Sequence, residues 1–386
     1  MATLRFWRVA SLLAALVLAA PAASGGGERV AHSIESERTG RTQRFEVSLP
    51  RSYADHPGSA FPVLVLLDGE SNLDHASAVA EFLAESGAIP EMIVVGVHAG
   101  PTRAQDYAFA PVQDGIPARG AGYLGFIGAE VLPFIEREYR AAPLRLISGH
   151  SLGGAFVTSA MAERPDLFSA YLAQSPYLPG AFGETILGRL EAAADVDPGG
   201  SAFFYANLGD EPDLRGAFAE LGSIVSESNS IRASTETHPR ESHMSTRLLG
   251  LYEGLGRFFG PAWRFEGEAG SLPAHVASLS ERYGFDVLYS ESVYRESIQE
   301  ALGAGNAAAA VGIAELYARQ HGYSPAPHFF LAAALARSGD IDGARAAIRE
   351  SVERYDADPR REWASLEPSI RTLARQLGVG AAPSSR

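Results

Sequence analysis

The chain has 386 residues, 46% of them hydrophobic, which is enough for a large core or for two domains. Its formal net charge of −14 argues against general nucleic-acid binding, which needs a basic face. All 32 basic residues are arginine and there is no cysteine, so lysine Schiff bases, thiolate catalysis and disulfides are excluded. The histidines show no metal-ligand spacing, and we expect neither a metal nor a cofactor.

The N-terminus has the order of a secretory signal peptide. Arg5 and Arg8 precede an apolar run over residues 9–20, and small residues follow it. The run is too short for a comfortable membrane span. We therefore predict a signal peptide over 1–24, cleavage near 22–24, a periplasmic or secreted mature protein, and no stable membrane insertion afterwards. An uncleaved N-terminal anchor is the alternative.

Strand-like and helix-like segments alternate from residue 30 to residue 260. Residues 30–49 alternate as in an antiparallel hairpin, and the apolar run at 61–67 is typical of a central strand buried on both faces. Further strands are predicted at 92–97, 144–147, 169–174, 202–208 and 231–237, and helices at 74–86, 124–139, 152–161, 180–194, 214–226 and 248–259. This alternation predicts an α/β fold with a doubly wound, mostly parallel sheet.

A nucleophile elbow is predicted at 149–153, which reads G-H-S-L-G. In such an elbow, small residues flank the serine because the backbone packs tightly on both sides of a strained turn. The helix that begins at Leu152 would point its first N–H groups at the space above Ser151. The Leu152 N–H is then one oxyanion donor, and the N–H of Gly69 or Glu70, after the first central strand, is the second.

Serine catalysis also needs a base and an acid, in the chain order serine, acid, histidine. The loop at 209–213 offers Asp210 and Glu211 as the acid. His238 and His243 compete as the base, and the spacing favours His243 only slightly. We expect His150, next to the nucleophile, to point away from the serine and to have a structural role.

Two segments are candidates for binding the substrate. The long loop at 100–122 is rich in proline and glycine and carries Arg103 and Asp106. Tyr177 follows the predicted strand at 169–174. Because ligands of parallel sheets bind at the carboxyl ends of the strands, we expect Arg103, Asp106 and Tyr177 to contact the substrate.

The composition of the chain changes after residue 260, and an Ala-rich region with a helical pattern follows. A repeat with a period of 34 residues aligns 305–306 with 339–340, Ala310 with Ala344, and Pro325 with Pro359. Small residues at helix crossings and a proline that ends the second helix are typical of tetratricopeptide pairs. Ordinary helical hairpins are the alternative. We predict a hydrolase domain over 28–262 and a small all-α, tetratricopeptide-like domain over 272–378.

Six motifs are similar to those of one known family: LLDGE (66–70), VLPFIEREYR (131–140), GHSLGG (149–154), ERPDLF (163–168), QSPY (174–177) and HMSTRLLGLYEGL (243–255). They resemble the putative esterase family of α/β-hydrolases, which includes enterochelin-type siderophore esterases, feruloyl esterases and esterase D. In that family the catalytic histidine precedes L-Y-x-G-L, which implies His243 rather than His238. A subset reads G-N-E where this chain reads G-D-E, which implies Glu211 as the acid and leaves Asp210 open.

The resemblance also implies features outside the triad. The same subset carries tetratricopeptide-like helices after the hydrolase domain. Family members often have tryptophan just after the S-P segment, where this chain has 177–180 (YLPG), and glycine after the catalytic histidine, where this chain has Met244. Neither departure removes a catalytic group, but the first alters a loop that lines the site.

The sequence therefore predicts a serine esterase that cleaves a small-molecule carboxylic ester through an acyl-enzyme. The substrate classes that remain open are siderophore lactones, feruloyl or acetyl sugar esters and small carboxylic esters, and the same triad also serves peptidases and acyltransferases. The alternative from another class is a non-catalytic interaction protein, in which the C-terminal helices bind a protein partner and the hydrolase region is a scaffold.

Overall fold

The computed structural model describes residues 27–112, 116–194, 202–358 and 363–380. The predicted signal peptide lies outside these ranges and stays a prediction. The strands are β1 Arg29–Ser36, β2 Arg41–Ser48, β3 Phe61–Leu67, β4 Ile93–Val97, β5 Ala141–His150, β6 Ala170–Gln174, β7 Phe203–Leu208 and β8 Arg232–Thr237.

The eight strands form a single mixed sheet in the order β1-β2-β4-β3-β5-β6-β7-β8. β1 pairs with β2, and β2 with β4, in antiparallel fashion, and every other pair is parallel. All seven residues of β3 are buried, as its unbroken apolar run predicts. The predicted α/β fold with a mostly parallel sheet is confirmed.

Helices cover both faces of this sheet. They are α1 Gly69–Glu85, α2 Arg103–Asp106, α3 Gly120–Phe126, α4 Leu132–Glu138, α5 Leu152–Glu163, α6 Gly180–Ala194, α7 Arg215–Glu227 and α8 Thr246–Trp263. α1 and α8 pack on one face, and α3 to α7 on the other. A π-helical turn, Ile127–Val131, joins α3 to α4, so the helix predicted at 124–139 starts earlier and is interrupted.

Six more helices follow: α9 Leu272–Tyr283, α10 Glu291–Gly303, α11 Ala307–His321, α12 Pro325–Ser338, α13 Ile341–Ala357 and α14 Glu367–Gln376. The repeat has a local structural basis, because Asn306 and Asp340 each cap a helix by accepting the N–H three residues on, at 3.1 and 2.8 Å. The expectation that Pro325 ends a helix is wrong, since it begins α12. Proline is well placed there because the first N–H of a helix has no intrahelical partner. Pro359 lies outside the described residues, and the tetratricopeptide assignment stays a prediction.

One apolar core joins the sheet to the C-terminal helices. It contains side chains under α1 and α8 together with side chains from α9 to α14. Trp263, at the end of α8, is 1% exposed, and its carbonyl accepts the Tyr289 hydroxyl at 2.7 Å. The core is therefore continuous across the boundary predicted at 262–272. Within the described ranges, no helix combines the length and hydropathy needed to cross a bilayer.

Buried polar groups reinforce this junction. Nε2 of His56 lies 3.2 Å from Nδ1 of His321 on α11, and burial lowers the pKa of His321 to about 3. Nearby, Glu91 accepts a hydrogen bond from the Ser52 hydroxyl and lines a cavity of about 240 Å³. Desolvation raises the pKa of Glu91 to about 7 despite that bond. The junction therefore holds a carboxyl group that keeps its proton to higher pH than an ordinary glutamate.

We expect Glu91→Gln to change how stability depends on pH. Because the folded-state pKa of Glu91 exceeds its ordinary value of 4.5, the folded protein retains this proton between those two values, and the stability from this group falls as pH rises through them. Glutamine cannot ionise but still accepts from Ser52. Melting temperatures from about pH 5 to pH 8 should show the variant gaining on the wild type by about 2 °C or more.

The matched control is Glu85→Gln. The Glu85 side chain is 58% exposed and pairs with Arg51 at 2.7 Å, and such a surface ion pair contributes little to stability. It should leave the slope of melting temperature against pH unchanged. Parallel curves for Glu91→Gln and the wild type would contradict the role given to Glu91.

Candidate active site

Ser151 stands on a strained turn between β5 and α5. Its backbone has φ 60° and ψ −119°, a conformation that residues with a Cβ rarely adopt. Two hydrogen bonds hold the turn: the Ser151 N–H donates to the Gln174 carbonyl at 2.9 Å, and the Ser151 carbonyl accepts the Tyr177 N–H at 3.0 Å. The hydroxyl is thus presented at the carboxyl end of β5, as in a nucleophile elbow.

The glycines around this turn are not equivalent. A Cβ on Gly149 would lie 2.5 Å from the carbonyl oxygen of Gly153, and one on Gly154 would lie 2.8 Å from a carbonyl oxygen at the end of β6. A Cβ on Gly153 would meet nothing closer than Oδ2 of Asp68, at 3.5 Å. Tight backbone packing therefore requires glycine at 149 and 154, whereas position 153 has room for a methyl group.

His243 lies after β8, and its imidazole is held by Glu211. Nδ1 of His243 is 2.5 Å from Oε2 of Glu211. Oε1 of Glu211 accepts the Ser175 hydroxyl at 2.6 Å and the Gly209 N–H at 3.2 Å. Glu211 is 11% exposed, which strengthens these bonds by excluding water.

Asp210, the acid next to Glu211 in the chain, points to the protein surface. Asp210 is 57% exposed and pairs with Arg215 at 2.6 Å on the surface. His238, the competing base, lies with Nε2 3.1 Å from the carboxylate of Glu253 on α8. The structure thus brings His243 together with Glu211 and leaves Asp210 and His238 in other pairs.

His150 faces His243. Its Nε2 lies 2.6 Å from the His243 carbonyl oxygen, and the two ring centroids are 4.5 Å apart. Burial lowers the pKa of His150 to about 4, so the ring is uncharged at neutral pH. Because a carbonyl only accepts, the proton of this neutral imidazole is on Nε2. The expected structural role thus has a specific target, the backbone of His243.

Two helix N-termini meet at the elbow. A Cβ on Gly69 would lie 2.2 Å from the Gly96 carbonyl carbon, so glycine lets α1 begin against the backbone of β4. The Asp68 carboxylate, just before α1, faces the first turn of α5 at Gly153. The first N–H groups of a helix lack intrahelical acceptors. The Leu152 and Gly69 or Glu70 amides belong to these two first turns, and their role as oxyanion donors stays a prediction.

The side chain of Glu70 has a separate task. Its carboxylate accepts the Ala99 N–H at 3.2 Å and ties the start of α1 to the segment after β4. Arg103 forms a fork with Asp68, with Nε–Oδ1 at 2.5 Å and Nη2–Oδ2 at 2.8 Å. Arg103 thereby reaches the site, remains 35% exposed, and already has an anionic partner.

The other two predicted substrate residues differ from each other. Asp106 is 1% exposed, pairs with Arg41 and accepts the Thr102 hydroxyl at 2.6 Å. Its prediction as a substrate contact is corrected, because the carboxylate is buried in an ion pair that folds the loop. Tyr177 is 38% exposed and its N–H donates to the Ser151 carbonyl, so its backbone lies beside the elbow.

Sequence reasoning missed three residues of this site: Asp68, Ser175 and Thr246. Each lies in one of the family-like motifs, at 66–70, 174–177 and 243–255, but nothing in the sequence pattern predicts which side chains these residues contact. Ser175 has φ 39° and is fully buried, which places its hydroxyl between strand ends. Within the described ranges, no group of three or more His, Asp or Glu side chains could hold a metal ion.

The fold and the elbow define an α/β-hydrolase, with Ser151 after β5, Glu211 after β7 and His243 after β8. The chain belongs to the Putative esterase family, whose family model matches residues 36–236. The predicted family is confirmed.

Individual relatives agree with this class. The chain is 30% identical over 164 residues to the ferri-bacillibactin esterase BesA of Bacillus subtilis, a match over 37% of this chain and 56% of that protein. It thus spans only about half the length of this curated relative. An IroE-like serine hydrolase from Shewanella oneidensis is 25% identical with a TM-score of 0.62, covering 74% of this chain and 98% of that one. An uncharacterised protein from Capnocytophaga ochracea is 15% identical with a TM-score of 0.59, and the match covers 90% of this chain and 100% of that one.

We expect Gly149→Ala and Gly153→Ala to behave differently. The first forces a methyl group against backbone that cannot move aside and should lower the free energy of unfolding by about 2 kcal/mol or more. The second should change it by less than about 1 kcal/mol, because the methyl group finds ordinary contacts. Denaturant unfolding of both variants measures the difference, and equal losses would contradict the packing described for the elbow.

Proposed function

We propose that this protein is a serine esterase with Ser151 as nucleophile, His243 as base and Glu211 as the acid. The observation that carries the proposal is the 2.5 Å hydrogen bond between Nδ1 of His243 and Glu211, beside a serine on a strained elbow. A bonded carboxylate fixes the tautomer in which Nε2 can accept a proton, as the reaction requires.

In the proposed reaction, Ser151 attacks the ester carbonyl while His243 accepts the serine proton. Glu211 keeps the proton on Nδ1 and stabilises the imidazolium that forms. The N–H of Leu152 and that of Gly69 or Glu70 donate to the oxyanion. His243 then protonates the leaving alcohol, and water releases the acid from the acyl-enzyme by the same steps in reverse.

The proposed substrate is a carboxylic ester with an apolar or aromatic group. Two exposed apolar side chains adjoin the catalytic positions: Tyr177, bonded through its N–H to Ser151, and Met244, which follows His243 and is 54% exposed. The relative named for ferri-bacillibactin supports including that siderophore in the first panel of esters. Aryl esters, acyl esters of increasing length and ferri-bacillibactin should be compared by kcat/KM.

We expect Ser151→Ala to abolish hydrolysis of p-nitrophenyl esters while the fold remains intact. Removing the hydroxyl removes the nucleophile, so turnover should fall by about 10³-fold or more. A fluorophosphonate probe should label the wild type at Ser151 and leave the variant unlabelled. A wild type that neither turns over esters nor reacts with the probe would instead favour the non-catalytic interaction protein.

The two neighbouring acids provide a matched pair of variants. Glu211→Gln should lower kcat by about 100-fold or more, because the amide cannot stabilise the imidazolium. Asp210→Asn, one residue away on the surface, should stay within about twofold of the wild type. The reverse ranking in p-nitrophenyl ester kinetics would move the acid to Asp210 and contradict the assignment.

A further inference from the structure

Hydrogen-bond contacts around His243 form a closed ring of polar groups, which is buried except at the half-exposed His243 itself. The His243 carbonyl accepts from Nε2 of His150 at 2.6 Å and lies 2.8 Å from the Thr246 hydroxyl. The Thr246 hydroxyl is 2.8 Å from that of Ser175, which is 2.6 Å from Glu211. Glu211 returns to the imidazole of His243. The ring thus reaches His243 at both its backbone and its side chain.

Counting protons limits the directions that these bonds can take. Each hydroxyl has a single proton, so Thr246 and Ser175 have two protons for three contacts: Thr246 with the His243 carbonyl, Thr246 with Ser175, and Ser175 with Glu211. A carboxylate only accepts, so the Ser175 proton points to Glu211. Ser175 can then only accept from Thr246. The Thr246 proton can then go either to Ser175 or to the His243 carbonyl, and only the carbonyl has a second donor, the N–H of His150.

Burial makes each of these bonds consequential. Thr246 and Ser175 are fully buried, and His150 is 8% exposed, so bulk water is poorly placed to replace a lost donor. The backbone fixes the hydroxyls as well. The Ser175 N–H donates to the Asn207 carbonyl at 2.9 Å, and the Asn207 side chain donates to the Thr246 carbonyl at 3.1 Å. The ring is therefore assembled from the ends of β5, β6 and β7 and the start of α8.

We propose that His150, Thr246 and Ser175 are positioning residues for the esterase reaction. His150 satisfies the His243 carbonyl, which lets Thr246 donate to Ser175 and Ser175 donate to Glu211. The polarised Ser175 hydroxyl stabilises the negative charge of Glu211 and orients the carboxylate toward Nδ1 of His243. This inference rests on the proposed function, because it concerns the same acid and base.

Thr246→Val and Thr246→Ser form the test pair. Valine matches the shape of threonine but removes the hydroxyl, whereas serine keeps it. We expect Thr246→Val to lower kcat by about fivefold to tenfold with KM within about twofold, since one buried hydrogen bond is lost. Thr246→Ser should remain within about twofold of the wild type.

The pH profile separates positioning from general damage. Without a donor from Thr246, the Ser175 hydroxyl stabilises the Glu211 charge less, and the carboxylate attracts the His243 proton more strongly. The acid limb of kcat/KM for Thr246→Val should therefore move to higher pH, and that for Thr246→Ser should not. A loss of kcat with no movement of the limb would contradict the ring and leave Thr246 a purely structural residue.

A double-mutant cycle tests whether His150 belongs to the same ring. His150→Phe keeps an aromatic ring against His243 but removes the N–H donor. Combined with Thr246→Val, its effect on kcat should differ by about threefold or more from the product of the single effects. Independent effects would overturn the ring. A wild type without ester turnover or probe labelling would contradict the proposed function itself, whereas an active wild type with unchanged Thr246→Val would contradict only this inference.

Discussion

The strained turn at Ser151 is the constraint on which the site depends. A residue with a Cβ at φ 60° and ψ −119° costs about 1–3 kcal/mol, so the surrounding structure must fix the turn. It does so on both sides. β5 is central in the sheet, and α5 buries ten of its twelve residues. Burying a phenylalanine such as Phe156 contributes about 1.5–3 kcal/mol, which is enough to offset the strain. The packing of β5 and α5 in the core therefore stabilises the strained turn that carries the serine.

Strained turns with positive φ also occur at the ends of neighbouring strands. Among the described residues, the non-glycine positions with positive φ are Asp68, Ser151 and Ser175, which follow β3, β5 and β6. In a parallel sheet these ends lie at one edge, so three sharp turns converge there. Each turn carries a polar group: the carboxylate that holds Arg103, the Ser151 hydroxyl, and the hydroxyl that binds Glu211. Three groups of the polar site thus lie on or next to strained turns at one edge of the sheet.

The sequence determined the fold class through features that act locally. Unbroken apolar runs such as 61–67 correspond to buried parallel strands, and the glycines of the elbow reflect contacts of the backbone with itself. The choice between Glu211 and Asp210 could not be predicted from spacing, because adjacent residues share the same loop. It depends on a hydroxyl contributed by another strand and on Arg215, which draws Asp210 outward. The burial of Asp106 could not be predicted either, because its partner Arg41 lies 65 residues earlier in the chain.

α8 connects the site to the C-terminal helices. Its first residue, Thr246, contacts the carbonyl of His243, and its last, Trp263, is buried in the core shared with α9 to α14. Gly260, with φ 55° and ψ −161°, introduces a kink before the last residues of α8. The Trp263 carbonyl accepts bonds from His275 and Tyr289, so the C-terminal helical region also holds the far end of α8. The loop that carries His243 is therefore supported at one end by the strand edge and, through α8, by the C-terminal helices.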